Sequence, residues 1–187
     1  MSVDFAAMIH RHRRLLWLLL SIATIAGCRS VPPAAPQVDL SDTAAILRAA
    51  REVMAAAQFC ALITLDEEGR PQARVMDPTA PDARMVVTLM TNPASRKVAQ
   101  IERDPRVTLF YFDRGSPGYV TILGRAKPIL DSAEKRRRWV ERWNPHRDGP
   151  DDALLYEVVP DRIEVVSIAH SVVGDDDAWT PPSIELP

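Results

Sequence analysis

Cysteine is scarce in this chain: there are two, Cys28 and Cys60. That excludes a disulfide framework as the source of stability. Cys60 sits in the apolar run Phe59-Cys60-Ala61-Leu62 and reads as a small buried hydrophobe, not a reactive thiol. Four histidines, His10, His12, His146 and His170, fall at spacings that make no metal-ligand pattern. Seven glycines form neither a phosphate-cradling loop nor a serine elbow. Neither sign of charge dominates, with 23 basic against 25 acidic groups, so nothing attracts nucleic acid. Asp148, Asp151 and Asp152 surround Gly149-Pro150 and read as a solvated loop, not as paired catalytic acids. Internal repeats are absent.

The N-terminus is set aside before any fold is argued. His10 to Arg14 is basic, and Leu15 to Gly27 is apolar or small. That run is shorter than the roughly 20 residues needed to cross a hydrocarbon core, and it fits the middle region of a secretory signal. Ile25-Ala26-Gly27-Cys28 resembles the bacterial lipobox, in which small residues precede a cysteine that is lipidated and becomes the new N-terminus. Residues 1–27 are therefore read as a lipoprotein signal peptide, with an uncleaved anchor helix as the alternative. Residues 28–40, with Pro32, Pro33 and Pro36, read as a Pro/Ala-rich tether on the lipid-anchored Cys28. The expected location is the periplasmic face of a bacterial membrane. Arg29 rather than aspartate follows the cysteine, which favours the outer membrane.

Residues 41–173 are read as one domain and 174–187 as an acidic, proline-containing tail or strap. Ser41 to Ala57 carries Ile46, Leu47, Ala50, Val53, Met54 and Ala57 at helical spacing. The period then changes to that of strands: 59–65, 71–76, 85–90, 107–112 and 119–129, with a last hairpin of 154–159 and 163–168 around Pro160-Asp161. Two helices interrupt them, Pro93–Arg103 and one that starts at Asp131 and carries Ala133, Trp139, Val140 and Trp143 on one face. The pattern predicts a mainly β protein with flanking helices (α+β), an antiparallel barrel closed or nearly closed, and excludes a doubly wound parallel sheet.

The segment from Met90 to Val107 carries the chemistry. A strand ends at Thr91, Asn92 can cap, and Pro93 stands at the first helical position. Ser95, Arg96 and Lys97 then crowd the first turn, where free N–H groups already make the helix end positive. Two cations there are costly unless an anion faces them, and N–H donors, a hydroxyl, a guanidinium and an ammonium together suit a phosphate. A solvated basic turn is the plainer alternative.

Thr91-Asn92-x-x-Ser95-Arg96-Lys97, followed by Asp104-Pro105-Arg106-Val107, resembles the FMN-phosphate segment of the pyridoxamine 5'-phosphate oxidase-like split barrels. The general stress protein type is the nearest fit, and the likeness covers about residues 44–168. Gly69 to Met76, Tyr119 to Ala126 and Val159 to Glu164 resemble three further stretches of that family, in order. The resemblance implies an antiparallel FMN-binding split β-barrel, FMN as cofactor and a homodimer with two flavins at its interface. It places Arg74 at the phosphate or ribityl chain, Val75 and Met76 along the ring through their backbone, and Thr91 and Ser95 as hydroxyl donors. Arg96 and Lys97 would neutralise the phosphate, and Tyr119 would stand near the isoalloxazine, unless it is a packed barrel aromatic.

Departures narrow the reading. The family oxidase has a lysine shortly after its second-strand arginine, where this chain has Asp77-Pro78-Thr79, and its C-terminal substrate motif has no counterpart after Ile168. Pyridoxamine phosphate is thus disfavoured as a substrate. The expectation is an FMN-dependent oxidoreductase of unknown small-molecule substrate, with the redox chemistry carried by the cofactor and no side chain assigned as catalytic acid or base. The alternatives are a non-catalytic flavin- or haem-binding stress or carrier lipoprotein, with His170 as the residue available to haem, and a deazaflavin-dependent reductase.

Overall fold

The structure, a computed structural model, describes Asp39 and residues 41–187. The signal segment, Cys28 and the tether up to residue 38 lie outside the described residues.

Helix α1 (Thr43–Ala57) begins where the Asp42 carboxylate accepts the Ala44 and Ala45 amides at 3.0 and 3.1 Å, satisfying two of the donors a helix start leaves free. Ala45, Ile46, Ala49, Ala50, Val53 and Met54 form its buried stripe, which packs on the inner face of the central strands.

Strands β1 (Cys60–Leu65) and β2 (Pro71–Met76) make the expected hairpin. Its turn is held by the Asp66 carboxylate on the Glu68 and Arg70 amides and by Gly69 at φ +74°, a conformation glycine adopts without penalty. With β3 (Val87–Thr91), β4 (Arg106–Asp113), β5 (Gly118–Ile129) and β6 (Leu154–Ser167) the sheet runs β2-β1-β4-β5-β6-β3, antiparallel throughout. A single bridge between Pro78 and Leu89 links the chain beyond β2 to β3 and closes the sheet on itself. Inward positions such as Leu62, Leu109, Val120, Ile122 and Val165 are fully buried. Outward ones alternate with them, and the paired rows Val75–Ala61–Phe110 and Phe112–Tyr119 share the outer face. The fold is the expected one, mostly antiparallel β with few flanking helices.

Four elements differ from expectation. The last hairpin does not exist: β6 is one strand of 14 residues. Pro160-Asp161, read as a turn, is absorbed by a bulge, because Leu123 pairs with Arg162 and Gly124 with Pro160, leaving Asp161 unmatched. On the other edge of β6, β3 pairs up to Val158 and β7 (Ser183–Glu185) from Arg162, so Pro160 faces no ladder partner there. The tail thus adds a strand to the sheet and buries Ile184. Helix α2 is Arg96–Arg103; Pro93 lies in the preceding turn, and Ser95 takes the capping position. Strand β3 starts two residues later than expected, because Met85 has φ +64° inside a turn whose amides bond Asp82. Helix α3 is Ser132–Arg138, capped by Asp131 on the Glu134 amide at 2.7 Å. Trp139 and Val140 are extended, and Trp143 belongs to a separate 3₁₀ turn, Glu141–His146.

Candidate flavin site

The end of β2, the end of β3 and the start of α2 converge. Thr91 closes β3 in a buried position. The chain then turns through Asn92, whose Oδ1 accepts the Ala94 amide at 2.9 Å. Ser95 occupies the cap of α2, yet no side chain caps the helix N–H groups. Its hydroxyl instead receives Lys97 Nζ at 2.7 Å, and the same ammonium donates to Thr91 Oγ1 at 2.9 Å. Thr91, Ser95 and Lys97 are therefore one hydrogen-bonded unit.

Arg74 reaches the same point from β2. Its guanidinium donates to Thr64 Oγ1 at 2.6 Å, Gln100 Oε1 at 2.9 Å and the Leu62 carbonyl at 3.3 Å. Every one of these partners is neutral. Burial and then the charge of Arg96 hold Arg74 below its usual value, and burial and then the charge of Arg74 do the same to Lys97. Arg70, Arg106 and Arg142 each have a carboxylate in contact. Among the described residues, Arg74, Arg96 and Lys97 have none within 4.0 Å. Three cations gathered at a helix N-terminus with no carboxylate among them make an arrangement that suits an anion with several oxygens.

Beside this cluster opens a cleft of about 430 Å³ that includes Val75, Met76, Thr91, Asn92 and Lys97. Its far wall is Trp143, buried against Ile129 and Leu155, with the indole N–H on the Asp77 carbonyl at 3.1 Å. His146 and Arg147 complete the rim. Seven of the eight residues expected at the cofactor thus lie in the cluster or along the cleft: Arg74, Val75, Met76, Thr91, Ser95, Arg96 and Lys97. Tyr119 does not. It stands on the outer face of β5 with its ring 5.7 Å from that of Phe110.

Thr64, Gln100, Trp143, His146 and Arg147 escaped the sequence reading. Gln100 lies one helical turn after Arg96, a spacing that puts it on the same side of α2 and was available in the sequence. Thr64 meets Gln100 across 36 positions, and no local pattern announces that. His170 has both ring nitrogens engaged, Nδ1 with Ser167 Oγ at 2.7 Å and Nε2 with Glu52 at 2.8 Å.

The family model of pyridoxamine 5'-phosphate oxidase matches residues 46–167, while no curated protein sequence matches the chain. Solved structures agree with it in fold at low identity. A Clostridium acetobutylicum protein related to general stress protein 26 of Bacillus subtilis is 16% identical, with a TM-score of 0.64 over 79% of this chain and 96% of that one. General stress protein 26 from Bacillus anthracis is 21% identical, with a TM-score of 0.56 over 64% and 92%. A pyridoxamine 5'-phosphate oxidase-related, FMN-binding protein from Nostoc punctiforme is 14% identical, with a TM-score of 0.51 over 78% and 96%. With a family model covering the whole barrel and its split-barrel fold shared by these structures, the chain belongs to the pyridoxamine 5'-phosphate oxidase family.

Proposed function

We propose that this protein binds FMN by its phosphate at Arg74, Arg96 and Lys97 and acts as an FMN-dependent oxidoreductase on a substrate other than pyridoxamine phosphate. The carrying observation is the cluster of three cations without a carboxylate at the uncapped start of α2. The donor set fits a phosphate monoester: two guanidinium groups, an ammonium, two hydroxyls and free helix amides. An FMN-binding protein of the same fold from Nostoc punctiforme supports the cofactor.

Bound flavin would supply the hydride and electron chemistry. The chain positions it: Thr64 and Gln100 pin Arg74, Thr91 and Ser95 pin Lys97, and Val75, Met76 and Trp143 wall the ring space. The family oxidase has a lysine shortly after its second-strand arginine, where this chain has Asp77-Pro78-Thr79, and Asp77 is paired with Arg142 Nε at 2.9 Å. The missing lysine supports a different substrate.

The homodimer belongs to the same reading. Val75, Phe110, Phe112 and Leu123 are exposed on the outer face of neighbouring strands, a contiguous apolar surface of the kind that marks an interface. Val75 is also part of the cleft wall, so a second copy seated on this face would border the flavin.

Replacing Arg96 and Lys97 together by alanine should weaken FMN binding at least a hundredfold, at about 1.5–3 kcal/mol per charged hydrogen-bonding group, while leaving the far-UV dichroism unchanged. Fluorescence titration measures this, and wild-type affinity in the double variant would refute the phosphate assignment. Export and anchoring at Cys28 are proposed from the lipobox alone. A Cys28→Ser protein should move from the membrane to the soluble fraction.

A further inference from the structure

The hydrogen bonds that hold Arg74 all avoid one edge of its guanidinium. Nη1 donates to Thr64 Oγ1 and, at longer range, to the Leu62 carbonyl, while Nη2 donates to Gln100 Oε1. The two side-chain acceptors are themselves 2.6 Å apart, with the Thr64 hydroxyl donating to Gln100 Oε1. Acceptors so close together meet the end of the guanidinium where Nη1 and Nη2 stand side by side. The planar fork then leaves its other edge, Nε–H with the second Nη2 hydrogen, as a parallel pair. Among the described residues nothing accepts from that edge. Two parallel N–H groups are the geometry that grips two oxygens of one phosphate.

The protons in this triangle have one consistent arrangement. Arg74 has only protons to give, so Thr64 Oγ1 receives one and sends its own to Gln100, whose oxygen uses both lone pairs. Thr64 is 1% exposed, which shields its hydroxyl from competing water.

Both side-chain anchors are neutral. Arg70, Arg106 and Arg142 are each anchored by a carboxylate instead. Glutamate in place of Gln100 would accept the same bonds and hold the guanidinium more strongly. It would also cancel the charge that a phosphate requires.

Resting on the phosphate reading above, we propose that Thr64 and Gln100 are positioning residues that keep the Nε edge of Arg74 fixed and free for the flavin phosphate, and that the neutrality of Gln100 makes the site selective for phosphorylated flavin.

FMN and riboflavin are titrated by fluorescence into the full chain, into Gln100→Glu, Thr64→Val and Arg74→Ala, and into the Thr64→Val/Arg74→Ala double variant. Melting temperatures are taken without ligand. Gln100→Glu should melt no lower than wild type, because the carboxylate holds Arg74 more tightly. It should nevertheless bind FMN at least about tenfold more weakly. A residue with a structural role alone would move stability and affinity in the same direction. Thr64→Val should lower FMN affinity about fivefold and have no further effect once Arg74 is alanine. Riboflavin, which lacks the phosphate, should show no difference among these proteins. Unchanged FMN affinity in Gln100→Glu, a Thr64→Val loss that persists without Arg74, or a parallel loss of riboflavin overturns the proposal and leaves the flavin reading standing. Failure of FMN to bind the wild-type protein overturns both.

Discussion

The ammonium of Lys97 rests on two hydroxyls, with two arginines as neighbours. Burial and the charge of Arg74 lower its pKa from the ordinary 10.5. The folded protein therefore holds this proton less tightly than the unfolded chain does, so Lys97's contribution to stability rises as pH climbs from the lowered value toward 10.5. A phosphate reverses the preference, since it favours the charged ammonium. FMN affinity should fall as pH rises through the lowered Lys97 value, by up to about tenfold per pH unit. Fluorescence titrations from neutral pH upward check this, and a Lys97→Met protein should bind more weakly with a flat profile over that window. Residues at this scale were legible where they were consecutive. Ser95, Arg96 and Lys97 contradict the helix polarity in one glance at the chain, whereas Thr64 and Gln100 join the site only through a contact that folding makes.

Gly124 shows how one element overrules a local signal. A Cβ there would lie 2.3 Å from the Val159 carbonyl oxygen and 2.9 Å from Pro160 Cα, both backbone atoms of β6 that cannot rotate aside. The missing side chain lets β5 and β6 approach at the bulge, and so Pro160-Asp161 passes through the sheet instead of reversing. Gly124→Ala should destabilise the domain by about 1–3 kcal/mol, seen as a lower urea midpoint. An unchanged midpoint would remove the bulge as the reason for the continuous strand. Elements with clean periodicity, α1 and strands β1, β2, β4 and β5, were readable because their buried faces follow from spacing alone. The start of α2 and the end of α3 were not. Proline is equally at home in a turn and in a first helical turn, and Trp139 faces a choice of partners that only the tertiary core decides.

At the scale of the whole molecule, the proposed dimer would tie assembly to the cofactor through the outer apolar face. Phe112 is exposed, shares this face and points away from the core. Phe112→Asp should yield a monomer in sedimentation velocity with an intact fold, and FMN affinity should drop with it because the cleft loses its second wall. A variant that remains dimeric would place the interface elsewhere. The sequence could signal apolar outward positions on single strands. It could not show that Val75, Ala61 and Phe110 line up, since that alignment is a matter of register between distant segments.

The ring of strands is held shut at Pro78 and Leu89 by one bridge, reinforced by the Thr79 amide on the Thr88 carbonyl at 3.0 Å and the Thr88 amide on Thr79 Oγ1 at 2.9 Å. Elsewhere the strands are laced by full ladders, eight paired positions between β4 and β5 alone. The barrel thus has a seam, and the seam is also part of the wall of a cavity of about 630 Å³ beside the end of α1. Amide exchange at Thr79 and Thr88 should run well ahead of that at Leu109 or Ile122, and a molecule lodged in the cavity should slow it. The wall that borders the cavity is the one the fold has stitched most lightly.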